Sequence, residues 1–431
     1  GTLVSMKNAL DKMGLDWIMI TDPASNYTGA LAAGYRFGSW DLSDPEVSIA
    51  GSAWMELQGR SQGLNNSLNG LPFIVGEEIS TQSKSAQSDQ IQKIALLSYN
   101  HTKFIPGTVN EGLRPLFSLS NRLQEMTSQP FAFAYAAYPA REELSSIVGS
   151  IVPWSTKNYQ IALSHRQFSG LQVWSGRHAR KTPSTSVKDN QNVNPFDKDG
   201  NFGELFDVNW PVEHQQALNR WSELIGKNLK PVRKIFISAG SDAYGDLNYS
   251  EQGVVQLAWS DNALGKVRTL VYSPVGKDSP SFLQALRNGR SVVTDGPVMI
   301  FGMDRDNDQQ IRRYPPETIN PGKDIIIGDH TILVPGERPK FLVEWKSTPE
   351  FTDSKTISIW NMVRINPDGS QCKEEDKVLS GANLEGTLEW EESQSLKPGS
   401  YAYRLYLVLY DTSNPAAWKF KHACYTNPIW V

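Results

Sequence analysis

Six apolar runs that each close on a polar or turn residue constrain the fold of this chain more than any other feature. They are LDWIMITD at 15–22, LPFIVGEEIS at 71–80, IALLSYN at 94–100, FAFAYAAYP at 131–139, GLQVWSG at 170–176 and KIFISAGSD at 234–242. A run apolar at nearly every position suits a strand covered on both faces. Helix-period stretches lie between several of them: Met6, Ala9, Leu10 and Met13 repeat at i, i+3, i+4, i+7 ahead of a capping Gly14, and Ala217, Leu218, Trp221, Leu224 and Ile225 share one face. Strands alternating with helices predict a parallel sheet or barrel, in which functional residues gather at the carboxyl ends of the strands. Asp22, Glu78, Tyr138 and Asp242 all stand there.

Two polar stretches, 36–70 and 178–210, are rich in Gly, Asn, Ser and Asp and are long for simple connections, which marks them as insertions around a barrel mouth. After about residue 298 the texture changes. Short alternating strands such as KFLVEW, TISIWNMVRI and YAYRLYLVLYD follow one another between turn signals, as in an antiparallel sandwich. The expected division is therefore a β/α barrel over 1–297 and an all-β sandwich over 298–431, which also suits a length of 431 residues, too great for one core.

Composition removes several function classes. The 42 basic and 46 acidic residues are mixed along the chain and leave a net charge of -4, without the basic stripe that a phosphate backbone demands, so nucleic acid is not an expected partner. No apolar run nears the roughly 20 residues that span a bilayer. A soluble chain is expected; its start at Gly1 shows no secretory leader and reads as trimmed. Cys372 and Cys424 fit no zinc pattern, and two readings stay open: separate thiols, or one disulfide in an exported protein. An extracytoplasmic compartment is favoured over the cytoplasm.

Six local patterns in a fixed order resemble one family. ITDP at 20–23, VGEEIS at 75–80, AAYP at 136–139 and AGSDAY at 239–244 resemble the ITDH, PGxE(I/V)(S/T), AHP and GSDAH elements of the polymerase-and-histidinol-phosphatase (PHP) metal-dependent phosphoesterases. RNGRSVVTDGP at 287–297 and YTNPIWV at 425–431 resemble the segments that lead into and close a sandwich appended in one branch of that family. The resemblance implies a distorted PHP-type β/α barrel whose carboxyl edge holds divalent metals (Mn, Mg, Fe or Zn) that activate a water for phosphoester hydrolysis. It assigns Asp22, Glu78 and Asp242 to acidic metal-ligand positions. Where the family has histidines this chain has Pro23, Tyr138 and Tyr244, and the family's opening HxH strand would lie upstream of Gly1.

The expected function follows from that mixture: a PHP-like hydrolase homologue with a degenerate metal site and reduced or lost activity, still engaging a small anionic or polyol ligand. Tyr138 and Tyr244 supply phenol donors for such a ligand. His178, with Arg177 and Arg180 in WSGRHARK, is the histidine best placed for an anion, His101 after IALLSYN is the second, and His214 at a helix start is expected to be exposed. The alternative is a non-catalytic, extracytoplasmic binder that grips a carbohydrate or anion with Tyr138, Trp174, Tyr244 and Tyr249 at the barrel mouth. TNPIWV is expected to pack in the sandwich rather than the site.

Overall fold

The structure, a computed structural model, describes residues 14–23, 54, 57–63, 65, 72–83, 92–105, 109–110, 114–115, 118–140, 152–175, 212–241, 265, 267–273, 276–311, 324–373, 376–381, 383–414 and 418–431. The helix expected at 6–13 and the insertion at 178–210 lie outside them. The chain forms two compact units, one of Leu10–Val173 with Lys277–Leu283, the other of Gly1–Ala9, Trp174–Gly276 and Gln284–Val431.

In the first unit the apolar runs become strands β1 (Ile18–Pro23), β2 (Phe73–Ser83), β3 (Gln92–Tyr99), β6 (Phe133–Ala137) and β7 (Phe168–Ser175), adjacent in that order, while β4 (Val109–Asn110) and β5 (Arg114–Pro115) make a small separate pair. Helices α1 (Leu119–Met126) and α2 (Thr156–Leu163) precede β6 and β7. Each starts on a serine cap: Ser118 Oγ accepts from Asn121 N and Ser155 Oγ from Asn158 N, both at 3.2 Å, which satisfies amides that the first turn leaves open.

The expected β/α barrel does not form. β1 and β2 are parallel, as are β6 and β7, but β2–β3 and β3–β6 are antiparallel. Among the described residues strands outweigh helices, and no closed ring of alternating strands and helices is present. The physical reason lies in the connections: residues 84–91 are too few to carry the crossover that a parallel neighbour needs, so β3 folds back as a hairpin. Continuous apolarity reported burial on both faces, and burial does not set strand direction.

The second unit holds α3 (Val212–Lys227), β8 (Phe236–Gly240), β9 (Arg268–Val271), β10 (Ser291–Thr294), β11 (Val298–Met303), β12 (Ile325–Ile326), β13 (Lys340–Lys346), β14 (Thr356–Ile365), β15 (Gln371–Lys373), β16 (Lys377–Ser380), β17 (Glu385–Glu391), β18 (Ala402–Asp411), β19 (Lys419–Thr426) and β20 (Ile429–Trp430). α4 (Ser279–Arg287) carries residues of both units. One antiparallel sheet runs β15-β14-β18-β19-β10-β9, with β16 on β14 and β20 on β18, and a second runs β12-β11-β13-β17. Period-two alternation aims Phe301, Phe341 and Trp345 of the smaller sheet at Trp360, Tyr403 and Leu405 of the larger, and these form one core. Phe341 meets Tyr403 at a centroid distance of 4.4 Å and Trp345 meets Trp360 at 5.5 Å.

The RNGR turn shows why glycine is needed there. Gly289 has φ +69, and a Cβ on it would stand 2.1 Å from the ring of Phe236. Cys372 in β15 and Cys424 in β19 are both free, with β14 and β18 between them in the sheet, so the disulfide reading falls. Burial pushes the Cys424 thiol up to about 12, which makes it a packing group rather than a nucleophile.

Candidate functional site

The edge expected to be functional is built where β1 stops. The parallel register pairs Asp22 with Glu77 and Pro23 with Glu78, so β1 ends beside Glu78 while β2 continues to Ser83. Tyr138 follows the last residue of β6 with φ 47, a left-handed conformation that is unusual for a bulky side chain and concentrates at functional positions. That turn delivers the phenol: Tyr138 Oη donates to Glu78 Oε2 at 3.2 Å.

Alternation along β2 puts Gly76 on the same face as Glu78. A Cβ at Gly76 would lie 2.8 Å from Tyr99 Cδ1, so the glycine makes room for that ring. Tyr99 packs against Tyr135 at 6.1 Å. Burial raises the pKa of both phenols, and the nearby Glu78 charge adds to the rise at Tyr99, as Tyr99 does at Tyr135. The face therefore presents one half-buried carboxylate among phenols that keep their protons.

The opposite face of β2 carries a group that sequence reasoning passed over. Glu77 is fully buried, and His101 is buried beside it with Nε2 3.8 Å from Glu77 Oε2. His101 lies 3.0 Å from the Lys103 carbonyl through Nδ1, which fixes the proton on Nδ1 and leaves Nε2 as an acceptor toward Glu77. Ile105 N donates to Glu77 Oε2 at 3.3 Å, Trp54 stacks on the imidazole at 4.8 Å, and Gln129 Oε1 accepts from Thr102 N and Lys103 N. Burial raises the Glu77 pKa well above its ordinary value and lowers that of His101 to about 4. Burial thus favours the neutral form of each group, a carboxylic acid beside an imidazole rather than an ion pair. The signal was present: in VGEEIS two adjacent glutamates must point to opposite faces of a strand.

Of the remaining site residues expected from sequence, the Asp22 backbone lies in β1, and Asp242, Tyr244, Arg177 and His178 lie outside the described residues, as does Tyr249. Trp174 is buried, with His214 at 4.5 Å and Tyr425 at 6.5 Å from its ring. His214 is itself buried, against the expectation of exposure, because it continues the apolar face of α3 at the i, i+3, i+4, i+7 spacing with Ala217, Leu218 and Trp221.

Among the described residues, one group of carboxylates is close enough to hold a metal, and it belongs to the second unit: Asp304, Asp306 and Asp324, with ligand oxygens within 4.8 Å of one another. No helix among the described residues is long and apolar enough to cross a membrane. The sequence matches no protein-family model and no curated protein.

Proposed function

We propose that the protein is a metallo-phosphoesterase-like hydrolase homologue whose Glu78–Tyr138 edge now engages a small anionic or polyol ligand, with metal-dependent turnover reduced or lost. The hydrogen bond from Tyr138 to Glu78 carries the reading. The phenol occupies the place where the PHP resemblance implies an imidazole ligand, and it gives the carboxylate a neutral partner in place of a cation. A phenol is a weak ligand for the borderline metals of such sites, and its one proton, given to Glu78 here, would turn to a phosphate or hydroxyl oxygen when a ligand arrives. If turnover survives, Glu78 would be among the carboxylates that hold the metal activating the attacking water.

The alternative, a sugar-stacking binder, loses one of its four aromatics, since the Trp174 ring is buried under His214 and Tyr425. The test uses the full chain. Hydrolysis of p-nitrophenyl phosphate is assayed with added Mn²⁺, Fe²⁺ or Zn²⁺, and binding of inorganic phosphate and of inositol is measured by calorimetry. The expected result is no metal-dependent turnover, with binding of one probe weakened about tenfold by Tyr138→Phe, the loss of one useful hydrogen bond. Metal-dependent turnover abolished by Glu78→Gln would show an intact hydrolase, and absence of both turnover and binding would remove the ligand edge.

A further inference from the structure

Asp304, Asp306 and Asp308 alternate along the segment DRDNDQQ, directly after β11. Antiparallel pairing of Gly302 with Ile326 and Met303 with Ile325 brings Asp324 opposite Asp304. The sheet thus adds a carboxylate twenty positions along the chain to a local cluster. Three ligand oxygens fall within 4.8 Å of one another, inside the roughly 4.6–5.2 Å that separates opposed oxygens around Ca²⁺ at 2.3–2.6 Å per bond.

A cluster of acids on a loop is commonplace; the state of Asp304 is not. Its side chain is fully buried, and Oδ1 has no hydrogen-bond partner among the described residues. Oδ2 by contrast accepts from Gln309 N at 3.1 Å and lies 3.7 Å from Lys340 Nζ. A buried carboxylate oxygen without a donor is unfavourable, and a cation among the three acids removes that cost together with their mutual repulsion. Lys340 offsets part of the charge but is shared with Glu389 at 3.4 Å. The Arg305 guanidinium is directed elsewhere, donating to Thr331 Oγ1 at 2.9 Å and pairing with Glu337, while its backbone amide donates to Asp324 Oδ1 at 3.1 Å.

The backbone agrees with a cation loop. Asn307 and Gln309 adopt φ 58 and 63, so the chain curls until the sixth residue of the segment donates its amide to the first carboxylate. Calcium loops make the same turn at their sixth position, usually with glycine, and draw ligands from positions one, three and five and from the carbonyl of position seven, here Gln310.

We propose that Asp304, Asp306, Asp308 and Asp324, with the Gln310 carbonyl, form a Ca²⁺ site that ties the loop after β11 to β12. All ligands are oxygens, which excludes a zinc-type preference, and their mixed burial leaves room for the waters that complete a calcium shell. The site belongs to the second unit and does not rest on the function proposed for the Glu78–Tyr138 edge.

The test is calorimetric titration of the chelator-treated full chain with CaCl₂, alongside thermal melts. One Ca²⁺ per chain is expected, with Kd of roughly 10⁻⁵–10⁻³ M and a rise of several degrees in Tm at saturation. Asp306→Asn, at an exposed residue, and Asp324→Asn should each weaken binding at least about tenfold without altering the melt of the calcium-free protein. Asp304→Asn should abolish binding; if that variant does not fold, the other two decide. No heat and no Tm shift up to about 10 mM Ca²⁺, ten times the weakest range of such sites, would overturn the proposal. So would equal affinity for Mg²⁺, or unchanged affinity in both Asp306→Asn and Asp324→Asn.

Discussion

Asn427→Ala is expected to destabilise the protein by about 3 kcal/mol, the upper end of the roughly 1–3 kcal/mol for leaving a buried polar group unpaired, since several are left at once. Asn427 is fully buried between β19 and β20, and its amide works as a piece of strand. Oδ1 accepts from Ile237 N at 2.8 Å, while Nδ2 donates to the Ile237 carbonyl at 3.4 Å, the Ser291 carbonyl at 3.2 Å and Ser291 Oγ at 2.9 Å. One side chain thereby joins β8 to the start of β10, although Asn427 lies 190 positions from Ile237 and 136 from Ser291. Alanine leaves the Ile237 amide without its acceptor in a place that water does not reach, and Asn427→Asp keeps the acceptor but loses both donors. Guanidinium unfolding of the three proteins decides the point: a loss below about 1 kcal/mol for both variants would show that the network is dispensable.

Glu77→Gln is expected to raise stability at pH 8 and leave it nearly unchanged at pH 5. Folding raises the Glu77 pKa above 4.5, so the stability it contributes is complete below pH 4.5 and is lost as pH rises through the folded value. Folding lowers the His101 pKa from 6.5 to about 4, so its contribution is complete above pH 6.5 and is lost as pH falls toward 4. Between 4.5 and 6.5 the two slopes oppose and stability is nearly flat. Above 6.5 only the Glu77 slope remains, at up to about 1.4 kcal/mol per pH unit, until the acid ionises. Glutamine has the shape without the titration, so its advantage over the wild type builds from pH 4.5 upward, at up to about 1.4 kcal/mol per pH unit until the acid ionises. Urea midpoints at pH 5, 6.5 and 8 test this. Wild-type stability that stays level from pH 6.5 to 8, or a variant that declines in parallel, would refute the neutral-pair account.

Adjacent residues show how far the candidate site was legible. Glu78 and Tyr138 were picked out as edge residues, and they meet at 3.2 Å although sixty positions separate them. VGEEIS read as a motif does not single out Glu77; counting strand faces does, because adjacent glutamates point to opposite sides. The Asp304 segment was readable as acids at every second position, yet its fourth carboxylate, Asp324, is supplied only by the pairing of β11 with β12.

The PHP order of motifs implied a barrel, and the structure has instead a mixed open sheet in one unit and antiparallel sheets in the other. A motif of a few residues at a strand end fixes local chemistry. It carries no term for which strand lies beside it.

The sequence by itself determined where the strands and helices lie and which faces are apolar, since period and capping are local properties that each segment carries with it: Ser118 caps α1 whatever surrounds it, and FAYAA is buried on both sides in any sheet. Tertiary structure alone decided the direction of β3, the partner of Asn427, and the company of Glu77 and Asp304. Those depend on which distant segments share a neighbourhood, and an apolar run specifies that it must be covered without specifying by what.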